Sequence, residues 1–99
     1  MNIKDLQEQA NELKSKQNWD GHTLEHRAMF LVTEVGEVIE EVLKLSSVYK
    51  DVDQDEAKER LGMEIYDVIW NLCDLANIVG IDLETTFEKK MAINRGRKW

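Results

Sequence analysis

The sequence predicts an all-α protein arranged as a four-helix bundle. Three observations carry that reading. The 99 residues contain no proline and only five glycines, so little interrupts a helix. Strong helix formers (Glu, Leu, Lys, Ala, Met and Gln) dominate the composition. Apolar residues recur at helical spacing in successive stretches parted by turn residues.

The first stretch, 3–17, places Ile3, Leu6, Ala10 and Leu13 on one helical face. "NWDG" then reads as a turn, because Asn, Asp and Gly tolerate non-helical backbone. A second helix opens at His22 or Thr23, with Thr23 the better N-cap, and runs to about residue 48. "YKDVDQDEAK" is polar and reads as a connection, with Asp55 as the cap of a third helix. That helix runs to about residue 79 and stops at Gly80. Asp82 caps a fourth helix through "LETTFEKKMAINR". No repeat or low-complexity tract divides the chain, so residues 1–99 read as one domain. A chain of this length buries a modest share of its surface, which favours an oligomer.

The net charge of -7 disfavours a sequence-independent grip on nucleic acid, which needs clustered Lys and Arg. The stretch "KKMAINRGRKW" is basic all the same. The single cysteine, Cys73, sits in an apolar run and reads as a small packing residue. With no signal peptide and no apolar run of about 18 residues, the expectation is a soluble cytoplasmic protein without a membrane partner.

The second and third helices share a plan. On a wheel of about 100° per residue, Leu31, Val35, Val38, Val42 and Leu45 form a core stripe. Glu34, Glu37 and Glu41 border it, and Glu40 points towards solvent. On the third helix Leu61, Ile65, Val68, Leu72 and Leu75 form the stripe, bordered by Glu64, Asp67 and Asn71. If both stripes face one core, the acidic rows oppose each other. Gathered carboxylates raise one another's pKa values, and a cation relieves them. An all-oxygen set favours Mg²⁺ or Mn²⁺. The plainer alternative is that each row is the polar flank of an amphipathic helix.

Other residues carry weaker signals. Trp19, in the turn, is placed either to stack on a nucleobase or to cap the bundle end. His22 and His26, four residues apart, lack a third ligand of their type and read as surface or capping residues. Met63, Tyr66 and Trp70 lie off the stripe and read as a subunit contact. Gly36 and Gly62, inside helices, suggest a close helix approach across an interface. A carboxylate-bridged di-iron bundle is disfavoured, because no Glu-x-x-His occurs.

"TEVGEV" and "MEIYDVIWNLCDLANIVGIDLETTFEKKMAINRGRKW" resemble the MazG-like all-α NTP pyrophosphohydrolases, over about residues 24–99. The family pattern is E-E-x-x-E, a spacer, then E-x-x-D. Here Glu34 and Glu37, a spacer of 38–63, and Glu64 and Asp67 match it, while Thr33 stands where the first glutamate would be. Lys90, Asn94 and Arg97 resemble the family's K…N…R ending. The resemblance implies hydrolysis of a nucleoside triphosphate to the monophosphate and pyrophosphate with Mg²⁺, by a homodimer or homotetramer. It implies metal binding by Glu34, Glu37, Glu64 and Asp67, with one of the glutamates or Glu41 orienting the water. Asn71 would contact sugar or phosphate, and Lys90, Asn94 and Arg97, with Arg95 a weaker candidate, would form a positive wall. The competing expectation, kept open by Thr33, is an inactive interaction or regulatory module of the same fold.

Overall fold

Side-chain caps set the helix boundaries. In the computed structural model, which describes residues 1–19, 21, 23–46 and 51–98, the elements are α1 (Ile3–Lys16), α2 (Leu24–Leu45), α3 (Gln54–Val79) and α4 (Leu83–Arg95). No strand occurs among the described residues. Asn2 and Asp5 open α1 with a reciprocal capping box, at 2.9 and 3.0 Å. Thr23 caps α2, as expected, by accepting from the His26 N–H. The cap of α3 is Asp53, not Asp55: its extended backbone lets one carboxylate take both the Asp55 and Glu56 N–H groups. Ser46, also extended, ends α2 ahead of the expected position, and residues 47–50 lie outside the described residues. Gly80, with φ of 76°, supplies the left-handed residue that ends α3. Asp82 then caps α4 through Glu84 N–H at 3.1 Å and Thr85 Oγ1 at 2.8 Å.

α2 and α3 form an antiparallel hairpin, with Arg27 beside Asp74 at one end and Glu41 beside Arg60 at the other. α1 packs on α3, and α4 packs mainly on α1. Polar groups make much of that docking. Gln7 donates to Asn77 Oδ1 (3.0 Å) and to the Ile81 carbonyl (2.8 Å), and accepts from Leu83 N–H (3.0 Å). It thus pins the corner between α3 and α4 to α1. Lys14 reaches Asp74 at 3.1 Å, and Arg27 of α2 reaches the same carboxylate at 2.7 Å.

The centre of the chain is accordingly ionic. Among the described residues the buried apolar ones are Ala10, Ala57, Cys73 and Ala76, and the largest fully buried side chains are Asp74 and Cys73. Cys73 packs as expected, and burial pushes its thiol pKa up. The expected core stripe is corrected: Val35, Val42, Ile65 and Leu72 are each more than 40% exposed. One helix buries only the line facing its neighbour, and each stripe here is wider than that contact. The remainder, with Val32, Ile39 and Ile69, leaves an open apolar face whose shallow groove is lined by Val35, Val38, Ile65, Val68 and Ile69. Gly36 and Gly62 meet no atom of the chain within 4 Å of an added Cβ. The radius of gyration, 16.3 Å, exceeds the roughly 13 Å of a compact chain of this length. No described helix is long and apolar enough to cross a membrane.

Asp74→Ala is expected to destabilise the chain by about 3–5 kcal/mol, because it strands two buried cations. The urea midpoint followed by circular dichroism measures this.

Candidate metal centre and adjoining cavity

The antiparallel hairpin puts the E-x-x-E of α2 opposite the E-x-x-D of α3. One carboxylate oxygen from each of Glu34, Glu37, Glu64 and Asp67 lies within 4.8 Å of the others. Glu34, Glu37 and Glu64 are half-buried. No donor group of the described residues reaches Oε2 of Glu34 or Oε2 of Glu64, both of which are buried. The Glu64 pKa is pushed up to about 7, first by a hydrogen bond shared with Glu37, then by burial and by the charges of Glu37, Asp67 and Glu34. Burial, followed by the charges of Glu37 and Asp67, raises Glu34, against the opposing pull of Arg27. Acceptors without donors, closely spaced and mutually repelling, fit a hard divalent cation held by oxygen. The four side chains could hold such an ion.

Glu41, on the same border of α2, stands apart from this group. It is buried between Lys44 (3.1 Å) and Arg60 (3.3 Å). The Lys44 hydrogen bond, joined by Arg60, holds its carboxyl below the usual range despite burial. A carboxylate so held is a poor base. Both ends of the Asn71 amide are engaged within the chain. Its Oδ1 accepts from Arg27 Nη1 at 2.7 Å and its Nδ2 donates to the Asp67 carbonyl at 2.7 Å. Lys90, Asn94, Arg95 and Arg97 are exposed, on or just after α4, whose packing is against α1. Thr33 and His26 are exposed on α2, and His22 lies outside the described residues.

Beside the acidic group is a cavity of about 320 Å³. Trp19, Phe30, Tyr66 and Trp70 form its walls, with Leu13 from α1. Arg27 and Asn71 also line it, and Glu34 and Asp67 belong to both cavity and carboxylate group. Trp19 meets Trp70 edge to face, with centroids 6.1 Å apart and planes at 89°. The Arg27 guanidinium lies 4.9 Å from the Trp70 ring centroid and 5.5 Å from that of Phe30. Tyr66 and Trp70, expected at a subunit contact, line this cavity. Sequence reading also missed Arg27, Lys14, Phe30 and Asp74. A signal was available for two of them: Asp74 continues the row of Glu64, Asp67 and Asn71, and Arg27 lies two turns before Glu34 on the same face.

An all-α chain that opposes two carboxylate pairs across a helical hairpin, beside an aromatic cavity, defines the class. Residues 22–98 match the MazG nucleotide pyrophosphohydrolase domain family. That span is most of the chain, and the protein belongs to this family. Comparison with curated proteins and with solved structures found no match.

The raised carboxyls predict an unusual pH response. Folding holds protons on Glu64 and Glu34 that the unfolded chain releases at lower pH. The metal-free protein should therefore lose stability as pH rises from about 5 to about 8. Thermal melts in chelator test this. Adding Mg²⁺ at the upper pH should raise the Tm, and binding near neutrality should release protons, seen by calorimetry in buffers of different ionisation enthalpy.

Proposed function

We propose that this chain is a Mg²⁺-dependent nucleoside triphosphate pyrophosphohydrolase, releasing NMP or dNMP and pyrophosphate, with deoxynucleoside or non-canonical triphosphates as substrates. The carrying observation is the meeting of Glu34, Glu37, Glu64 and Asp67 at the edge of a cavity sized for a nucleoside.

These four residues would hold Mg²⁺, or Mn²⁺ in its place, which when bound neutralises phosphate charge and lowers the pKa of a coordinated water. The base enters the cavity and stacks among Trp19, Phe30, Tyr66 and Trp70, aromatic faces that suit any base. Glu34 and Asp67, shared between cavity and carboxylate group, set the triphosphate against the acidic end. One carboxylate of the group orients the attacking water and takes its proton. Lys90, Asn94 and Arg97 contact the phosphates and stabilise the leaving pyrophosphate.

The exposed apolar face of α2 and α3 supports a homodimer or homotetramer. Because α4 packs on α1 and not comparably on the hairpin, its basic residues serve the acidic group of a second copy. The setting of this reading is cytoplasmic, with neither nucleic acid nor membrane as partner. Thr33, at the first glutamate position of the family pattern, favours a second reading: an inactive regulatory module of the same fold.

A panel of NTPs and dNTPs with Mg²⁺ should yield pyrophosphate and the monophosphate, and Glu37→Gln should lower kcat by about a hundredfold or more. No cleavage of any nucleotide leaves the inactive module. Sedimentation should show a dimer or tetramer. Mixing Glu37→Gln copies with Lys90→Ala copies should restore activity that neither has alone, whereas a site complete within one chain would gain nothing.

A further inference from the structure

The two ends of the cavity differ in polarity. The end at Glu34 and Asp67 is anionic. Seven residues back along α2 from Glu34 is Arg27, and seven residues on along α3 from Asp67 is Asp74. At the helical rise this is about 10 Å along the hairpin. Arg27 marks that far end, and the donors Trp70 and Asn71 stand between it and Asp67, three and four residues on along α3. A guanidinium can only donate, and Arg27 is held in place by buried Asp74 and by Asn71, both at 2.7 Å. The Asn71 oxygen faces that guanidinium, so its amide cannot flip without setting N–H against N–H. Its nitrogen, with one hydrogen on the Asp67 carbonyl, has a second to give. Trp70, which lines the same cavity, keeps a buried indole N–H with no acceptor among the described residues.

We propose that this donor-lined end selects the base: it takes bases carrying a carbonyl at the edge remote from the sugar (4-keto pyrimidines and 6-keto purines) and rejects their 4-amino and 6-amino counterparts. The inference rests on the reading that the cavity receives the base. A carbonyl oxygen there accepts from the donors and meets the positive field of Arg27. An amino group sets N–H against N–H and leaves the Asn71 and Trp70 donors unpaired, at a cost no apolar contact offsets. Such mismatches discriminate far better than apolar contacts do. The carboxylates that line the cavity, Glu34 and Asp67, belong to the acidic end, the Asn71 oxygen is taken by Arg27, and the Asp74 carboxylate is spent on Lys14 and Arg27.

The test separates base selection from hydrolysis. Quenching of tryptophan fluorescence in the full chain is followed on titration with dUMP, dCMP, dIMP and dAMP. We expect dUMP to bind at least tenfold more tightly than dCMP, and dIMP than dAMP. Trp70→Phe keeps a ring and removes the N–H, so both ratios should shrink. Arg27→Gln, which offers an acceptor as well as donors, should bring them close to one. Should Arg27→Gln fail to fold, Trp70→Phe alone decides. Equal binding, preference for the amino bases, or no binding of any of the four overturns the inference. Selective binding without cleavage of any triphosphate sinks the hydrolase reading and leaves base selection standing. Cleavage without keto preference does the reverse.

Discussion

Asp74 lies fully buried on α3, with Lys14 of α1 at 3.1 Å and Arg27 of α2 at 2.7 Å. Three helices thus meet on one carboxylate. Two cations around one anion leave a net positive charge inside the chain, and Asn71 and the faces of Trp70 and Phe30 are what it meets. Buried charges are expensive unless geometry satisfies them. Here the geometry also orders the cavity, because Arg27 and its partners Asn71, Trp70 and Phe30 are cavity walls. The ion pair that docks α1 is therefore the one that fixes the shape and sign of the pocket behind the acidic group.

Charge runs along the hairpin in a defined order. Glu37 and Glu64 stand in the acidic group, Glu34 and Asp67 where it meets the cavity, and Arg27, Asn71 and Asp74 at the inner end. Glu34 feels both sides, raised by burial and by Glu37 and Asp67 and lowered by Arg27. The arrangement is poor for the stability of an empty protein and well suited to a ligand that is anionic at one end and accepts hydrogen bonds at the other. Strained electrostatics of this kind belong to sites more than to scaffolds.

The apolar surface makes a separate point. Val32, Val35, Ile39 and Val42 follow one another along α2 at intervals of three and four residues, and Ile65, Ile69 and Leu72 do so along α3. Both rows stay open in a single chain whose buried apolar residues, among those described, are three alanines and a cysteine. Helix amphipathicity is satisfied only when a second surface covers that face.

Much of this was legible in the residue order. Helix periodicity, the Thr23 and Asp82 caps and the left-handed Gly80 are local properties, written within a turn or two of chain. So was the pairing of acidic rows, because equal spacing on two antiparallel helices brings them level. The end of α2 and the choice of Asp53 over Asp55 were harder, because neighbouring polar residues compete for the same N–H groups. What only tertiary structure decided was which partner each side chain met. Glu41 shares the row of Glu34 and Glu37, yet Arg60, across the hairpin, takes it into an ion pair. Trp70 meets Trp19 edge to face across the cavity, and Tyr66, half exposed, lines the same cavity. Arg27, Lys14 and Asp74 come from three helices, and no local pattern announces that they meet. Periodicity records which face a residue occupies; it carries no information about what another helix brings to that face, and the cavity is made of such encounters.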